Sequence, residues 1–207
     1  MDRSDITKKF IAFEGLDGCG KTTQATLLAR FLEAQGVKYT YVREPGGTVV
    51  GDQIRSILLN PATILSPWGE VLLYAAARAQ LVQDIIVPCL ARGDVVVCDR
   101  YMFSSLAYQG YGLEQDVEFV GKVNLQAVRG LMPAWTFLLQ ISPEDGLARQ
   151  ASQRGLDRIE QRDAEFFQRV VTGYDKMAEK YKFTVLNGTA DPEQLHQQVL
   201  ALLTNIL

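Results

Sequence analysis

Gly15-Leu16-Asp17-Gly18-Cys19-Gly20-Lys21-Thr22 matches the pattern G-x-x-x-x-G-K-[ST]. Its surroundings give the pattern structural meaning. The apolar run Phe10-Ile11-Ala12-Phe13 comes just before it, and a helical pattern over residues 22–35 comes just after. Between a strand and a helix, such a loop wraps backbone N–H groups around phosphate oxygens, and the positive end of the helix adds to their pull. Lys21 is placed to reach between the β- and γ-phosphates, and Thr22 to hold Mg²⁺ through its hydroxyl. The sequence therefore predicts a nucleoside triphosphate site, with Gly15, Asp17, Gly18, Cys19, Gly20, Lys21, Thr22 and Thr23 against the donor nucleotide.

Outward from the loop, short apolar runs alternate with helical patterns. The first strand covers 10–14, and others are predicted near 37–42, 95–98, 135–140 and 183–186. Helical patterns cover 22–35, 50–60, 69–91, 104–109, 117–130, 164–181 and 192–206, with Pro192 in a first turn and Asp191 as its cap. Continuous apolar runs separated by helices are what a parallel sheet buried on both faces requires. The fold class is α/β, a P-loop NTPase fold with a five-stranded parallel sheet flanked by helices. Residues 142–159 carry Arg149, Arg154 and Arg158 with Gly146 and Gly155 and few large apolar side chains. They read as a surface excursion able to close over something anionic, within one domain spanning 1–207.

Composition narrows the partners. The 207 residues carry a formal charge of -3 from 21 basic and 24 acidic side chains. That balance argues against a nucleic-acid coat or an anionic membrane surface, but leaves room for a small phosphorylated substrate held by a local patch. No apolar run reaches membrane-spanning length, and residues 1–9 lack the apolar core of a signal peptide. Cys19, Cys89 and Cys98 are odd in number and lack metal-ligand spacing, which suggests a reducing, cytoplasmic setting. His196, the only histidine, reads as a packing or surface residue, so no histidine triad or zinc cluster is expected.

In an open parallel sheet, ligands bind beyond the carboxyl ends of the strands. Strand one delivers Glu14, Asp17 and the phosphate loop; strand two delivers Arg43-Glu44-Pro45-Gly46-Gly47-Thr48; strand three delivers Asp99-Arg100-Tyr101. Taken singly, Arg43, Glu44 and Asp99 are consistent with ordinary loop ion pairs. Beside a phosphate loop they form a rim suited to a second anion. Phosphoryl transfer needs in-line positioning, Mg²⁺ and cations around the moving charge. The candidate cations are Lys21, Arg43, Arg55, Arg78, Arg100, Arg149, Arg154 and Arg158. Arg78 follows Tyr74 by four residues, so the two share a helix face. One reading makes them a base site, a ring that stacks and a fork that reads an edge; the other makes them a buried tyrosine beside a surface arginine. No N-K-x-D motif marks a GTPase. A small-molecule kinase fits best, with a non-catalytic nucleotide-binding module as the rival class.

The chain resembles the thymidylate kinases. The resemblance rests on Phe13-Glu14-Gly15-Leu16-Asp17-Gly18, Gly20-Lys21-Thr22-Thr23, Arg43-Glu44-Pro45-Gly46-Gly47-Thr48, Ala76-Ala77-Arg78, Asp99-Arg100-Tyr101, Ser104-Ser105-Leu106-Ala107-Tyr108-Gln109-Gly110 and Leu156-Asp157-Arg158-Ile159-Glu160. These segments run in family order across almost the whole chain. The resemblance implies a nucleoside monophosphate kinase with a lid at 142–159, transferring a phosphoryl group from ATP to dTMP with Mg²⁺, and usually a homodimer. Other deoxynucleoside and deoxynucleotide kinases share parts of the scaffold but not this set.

It also implies roles. Tyr74 takes the position that stacks on thymine, usually phenylalanine. Arg78 would donate to thymine O4, and Gln109 and Ser105 would meet the polar edge of the ring. Arg43, Arg55 and Arg100 would hold the 5′-phosphate, Asp17 would meet the 3′-hydroxyl, and Tyr108 would sit under the sugar and leave no room for a 2′-hydroxyl. Thr22, Asp99 and, through water, Glu44 form the candidate metal set. Lys21, Asp99, Arg100 and the lid arginines form the catalytic set. One subclass of the family carries an arginine in the phosphate loop; the other, mostly bacterial, supplies it from the lid. Gly18 occupies the loop position here, which implies the lid type, with Arg154 or Arg158 expected ahead of Arg149. The chain departs from the family at Tyr74, at Cys19 in place of alanine or serine, at Tyr111 before Gly112-Leu113, and at Ala134 after Pro133.

Overall fold

A computed structural model of the protein describes residues 7–151 and 157–203. Five parallel strands form one sheet in the order β2-β3-β1-β4-β5. They are β1 (Phe10–Gly15), β2 (Tyr39–Arg43), β3 (Val95–Asp99), β4 (Trp135–Gln140) and β5 (Thr184–Asn187). Position in the sheet explains composition. Central β1 and β3 are buried along their whole length and read as continuous apolar runs ending in a carboxylate or a glycine. Edge strands β2 and β5 have water on one side and are only partly buried. The register sets Arg43 beside Asp99, Asp99 beside Phe13 and Phe13 beside Phe137. The carboxyl ends of β2, β3 and β1 therefore share one rim.

The helices cover both faces: α1 (Lys21–Ala34), α2 (Val49–Leu59), α3 (Pro67–Leu81), α4 (Val87–Ala91), α5 (Met102–Ser105), α6 (Val117–Ala127), α7 (Pro143–Ala151), α8 (Ala164–Tyr181) and α9 (Pro192–Leu203). The helix expected over 69–91 is not a uniform α-helix. A π-helical turn, Val82–Ile86, joins α3 to α4, just before Pro88, whose missing N–H cannot close an ordinary turn. Together they make a 25-residue helix that includes an 18-residue stretch of mean hydropathy 1.2, enough to cross a membrane by length and composition alone. Glu70, Arg78 and Asp84 interrupt it, so it is not a continuous apolar run. Its buried side holds Val71, Leu81, Ile86 and Leu90 together with Glu70 and Arg78, which identifies it as a core helix.

Three other expectations change. The short helix at 104–109 is α5 continued by a π-helical segment, Leu106–Gly112. The helix expected over 117–130 stops at Ala127, where Arg129 and Gly130 turn to positive φ, 51° and 71°. The excursion at 142–159 contains the regular helix α7. His196 is buried, with its ring edge-on to Phe31 at 6.4 Å, so it is a packing residue.

Candidate active site

The phosphate loop lies where the chain switches sides of the sheet: α1 leads to β2 on one side of β1, and the later strands β4 and β5 fill the other. Gly15, Gly18 and Gly20 have φ of 136°, 80° and 99°, the left-handed region that glycine tolerates. A Cβ on Gly15 would meet the Leu139 carbonyl oxygen at 2.5 Å, and one on Gly18 would meet that of Gly146 at 2.5 Å. Capping makes a second argument. Thr48, Ser66, Asp116, Ser142, Asp163 and Asp191 cap α2, α3, α6, α7, α8 and α9 with side-chain oxygens. Helix α1 starts from Gly20 with no side-chain cap and no acid in its first turn. Its leading N–H groups and positive end are left for a ligand anion.

Around the loop, Lys21 is buried and donates from Nζ to the Leu16 carbonyl at 2.6 Å. Thr22 Oγ1 donates to Asp99 Oδ2 at 2.5 Å, and Arg43 Nε lies 3.8 Å from the same oxygen. The loop from Asp17 to Thr23, Asp99, Arg149 and the β5–α9 turn (residues 188–192) line a cavity suited to a nucleotide. That turn was not foreseen as part of a site; the sequence marked only a strand near 183–186 before it and the helix cap at Asp191.

A second cavity opens beside it. All nine candidate substrate residues line it: Asp17, Arg43, Arg55, Tyr74, Arg78, Arg100, Ser105, Tyr108 and Gln109. Asp17, Arg43 and Arg100 line both cavities and so stand where they meet.

Arg100 has φ 72°, and its guanidinium is held on every side. It donates to Gly15 O, Ser104 Oγ and Asp17 Oδ1 at 3.0, 3.0 and 2.8 Å, and to the Tyr108 hydroxyl at 3.3 Å. Burial pushes the Asp17 carboxyl up, but Arg100 and Lys21 outweigh it and hold Asp17 far below the usual carboxylate range. Behind Arg100, buried Glu14 accepts from the N–H groups of Tyr101 and Ser104 and from the hydroxyls of Ser104 and Tyr174. Burial raises its pKa despite those bonds.

Arg78 is fully buried. Its Nε donates to Glu44 Oε2 at 2.7 Å, one terminal nitrogen to Ser105 Oγ and Asn124 Oδ1, and the other to Glu44 and, at 3.3 Å, to Tyr101 O. All five donors face protein acceptors, so a base in the cavity would have to share or displace one. Asn124 on α6 and Tyr174 on α8 were not foreseen; nothing local marks a residue brought in from a distant helix. Glu70 is another matter. It precedes Tyr74 by four residues and Arg78 by eight, so helix spacing alone puts all three on one face.

The lid arginines part company. Arg149 donates to Gly18 O at 3.1 Å and Gly188 O at 3.0 Å, beside the phosphate loop. Arg158 turns the other way, donating to Leu58 O at 2.7 Å and pairing with Glu70 at 2.8 Å. Of these two, it is Arg149, the one expected to matter less, that lies at the loop. Arg154 lies outside the described residues.

Among the described residues, no cluster of three or more histidine, cysteine or acidic side chains gathers as a self-sufficient metal cage. Mg²⁺ does not need one, since it binds through one or two protein oxygens, water and substrate phosphates. Thr22 and Asp99 supply hard oxygen donors at the loop. Glu44 Oε1 is buried with no hydrogen-bond partner among the described residues, an oxygen free for bound water. The donor set fits Mg²⁺.

An uncapped helix behind a glycine loop, with arginines between two adjoining cavities, defines a P-loop phosphotransferase. The thymidylate kinase family model matches residues 13–199, and the chain belongs to that family. It is similar to the thymidylate kinase of Pelotomaculum thermopropionicum, 47% identical over 203 residues, 96% of this chain and 94% of that one. The thymidylate kinase of Deinococcus radiodurans is 43% identical over 194 residues, 93% of each chain. That of Exiguobacterium sp. is 45% identical over 183 residues, 88% of this chain and 86% of its own.

Proposed function

We propose that this chain uses ATP and Mg²⁺ to phosphorylate dTMP, with donor and acceptor in the two adjoining cavities. The observation that carries this reading is the shared wall of Asp17, Arg43 and Arg100, which faces both at once. An oxygen of the dTMP 5′-phosphate attacks the γ-phosphorus of ATP, the bond from that phosphorus to the β–γ bridging oxygen breaks, and ADP leaves. The phosphate loop and Lys21 hold the β- and γ-phosphates. Arg43, Arg55 and Arg100 hold the acceptor phosphate, and Arg149 approaches from the lid at 142–159. Thr22 and Asp99, with Glu44 through water, would hold Mg²⁺, which neutralises charge on the phosphates. Tyr74 stacks on the base, Arg78, Ser105 and Gln109 read its edge, and Tyr108 packs under the deoxyribose, next to Asp17. All of this belongs to one domain, and the free thiols of Cys19, Cys89 and Cys98 suit a cytoplasmic enzyme.

The test is a coupled ADP-release assay across dTMP, dUMP, dCMP, dGMP and AMP. dTMP should give the highest kcat/KM, and a preference for any of the others would overturn the reading.

The enzyme works as a homodimer. Val50 and Ile57 on α2 and Leu72 and Val87 on the α3–α4 helix are exposed, and α2 packs beside α3. An apolar stripe on two adjacent helices suits a self-complementary contact. Sedimentation should show a dimer that Leu72→Glu converts to monomer; a monomeric wild type would refute it.

A further inference from the structure

The edge of thymine or uracil differs from that of cytosine in the direction of its hydrogen bonds. Thymine and uracil present N3–H as a donor, whereas cytosine presents N3 as an acceptor. Gln109, which lines the acceptor cavity, can serve either, because its amide carries a donor and an acceptor at nearly the same distance. Something must decide which end faces the base.

We infer that Glu70 is the specificity-determining positioning residue of the base site, holding the Gln109 amide with its oxygen toward the base. Gln109 Nε2 donates to Glu70 Oε1 at 2.9 Å, and both side chains are buried. The other carboxylate oxygen pairs with Arg158 at 2.8 Å and Arg162 at 2.9 Å. A carboxylate clasped by two guanidinium groups only accepts, so the amide nitrogen must face it. Gln109 Oε1 then turns away from Glu70 and accepts no side-chain hydrogen bond among the described residues. An oxygen presented in this way accepts N3–H of thymine or uracil and meets the lone pair of cytosine N3. The discrimination comes from a group that itself need not touch the base. It also ties the base site to the end of the lid and the chain just past it, because Arg158 and Arg162 share the carboxylate.

This inference rests on the cavity being a thymidylate site. The experiment measures kcat/KM for dTMP, dUMP and dCMP in the wild type, Glu70→Gln, Gln109→Ala and the double variant. A neutral amide at position 70 can donate as well as accept, so Gln109 is freed to rotate. The ratio of dTMP to dCMP should fall about tenfold or more in Glu70→Gln, the effect of a mispaired buried hydrogen bond. The ratio of dTMP to dUMP should stay unchanged, because the 5-methyl group is read elsewhere. In the Gln109→Ala background, adding Glu70→Gln should leave the dTMP-to-dCMP ratio where it is. Loss of the arginine pairs would slow both substrates alike and leave the ratio intact. Glu70→Asp, which keeps the charge but shortens the reach, should lower the ratio too, and stands in if the glutamine variant does not fold. An unchanged dTMP-to-dCMP ratio in an active Glu70→Gln or Glu70→Asp enzyme would overturn the role of Glu70 alone. A wild type that does not turn over dTMP would instead overturn the reading of the cavity.

Discussion

Arg149 donates from Nη1 to the Gly18 carbonyl oxygen across 3.1 Å, so a lid side chain already touches the phosphate loop. With the donor bound as proposed, a cation there would stand beside the transferred phosphoryl group. Arg149→Ala should lower kcat about a hundredfold, the usual scale for one lost transition-state donor, and change KM for dTMP little. Arg158→Ala should do the reverse, raising KM through Glu70 with less effect on kcat. Steady-state kinetics decide, and near-normal kcat in Arg149→Ala would remove it from the mechanism.

Lys21→Ala should abolish transfer and leave the fold standing. Among the described residues, the buried Nζ bonds only within its own loop, to Leu16 O and, at 3.6 Å, to Cys19 Sγ. The expected kcat is about a hundredth of wild type or less, with a melting temperature little changed. Retention of a tenth of the activity would refute the assignment.

At the sugar, packing and hydrogen bonding separate. The Tyr108 hydroxyl donates to Asp17 Oδ2 at 3.2 Å and accepts from Arg100 at 3.3 Å. Tyr108→Phe keeps the bulk, so it should keep the preference for deoxyribose over ribose. It should also raise KM about fivefold, because two charged groups lose a partner worth about 1 kcal/mol. Tyr108→Ala should narrow the preference itself. The check is kcat/KM for dTMP and its ribonucleotide in both variants; the same ratio in Tyr108→Ala as in wild type would place 2′ discrimination elsewhere.

Glu44 gives stability a pH dependence. Burial pushes its carboxyl up to about 7 from 4.5, with Arg78 pulling against the rise and Glu14 adding to it. Between those values the folded chain holds a proton that the unfolded chain has released. The contribution of this group therefore favours folding at the acid end and is lost as pH rises from about 4.5 to about 7. Urea midpoints measured from pH 5 to 8 should show wild type losing stability relative to Glu44→Gln as the pH rises. A constant difference would mean that Glu44 titrates at its ordinary pKa.

The strands and the phosphate loop were legible because each carries its own local signal, a buried apolar run or a glycine pattern. The π-helical turns were not. Pro88 announces a disturbance in a helix but not whether it breaks or widens, and nothing local in Leu106–Gly112 distinguishes 3.6 residues per turn from a wider spiral. The rim residues Arg43, Asp99 and Arg100 were readable from strand order. Asn124 and Tyr174 were not, since tertiary packing alone delivers them to Arg78 and to Arg100 with Glu14. The lid arginines show the limit most clearly. The sequence reading set Arg154 and Arg158 ahead of Arg149, and only the path of the chain shows Arg149 at the loop and Arg158 at Glu70.

Gly18 and Gly146 bear on how such an enzyme changes over generations. Any side chain on Gly18 would strike the Gly146 carbonyl oxygen, and any on Gly146 would strike that of Asp17 at 2.6 Å. A lineage that moved its phosphate-clamping arginine from lid to loop would have to place it at position 18, where α7 leaves no room for even a methyl group. The helix would have to withdraw first, taking Arg149 out of reach before the replacement had arrived. A single substitution at Gly18 therefore collides with α7 unless that helix moves.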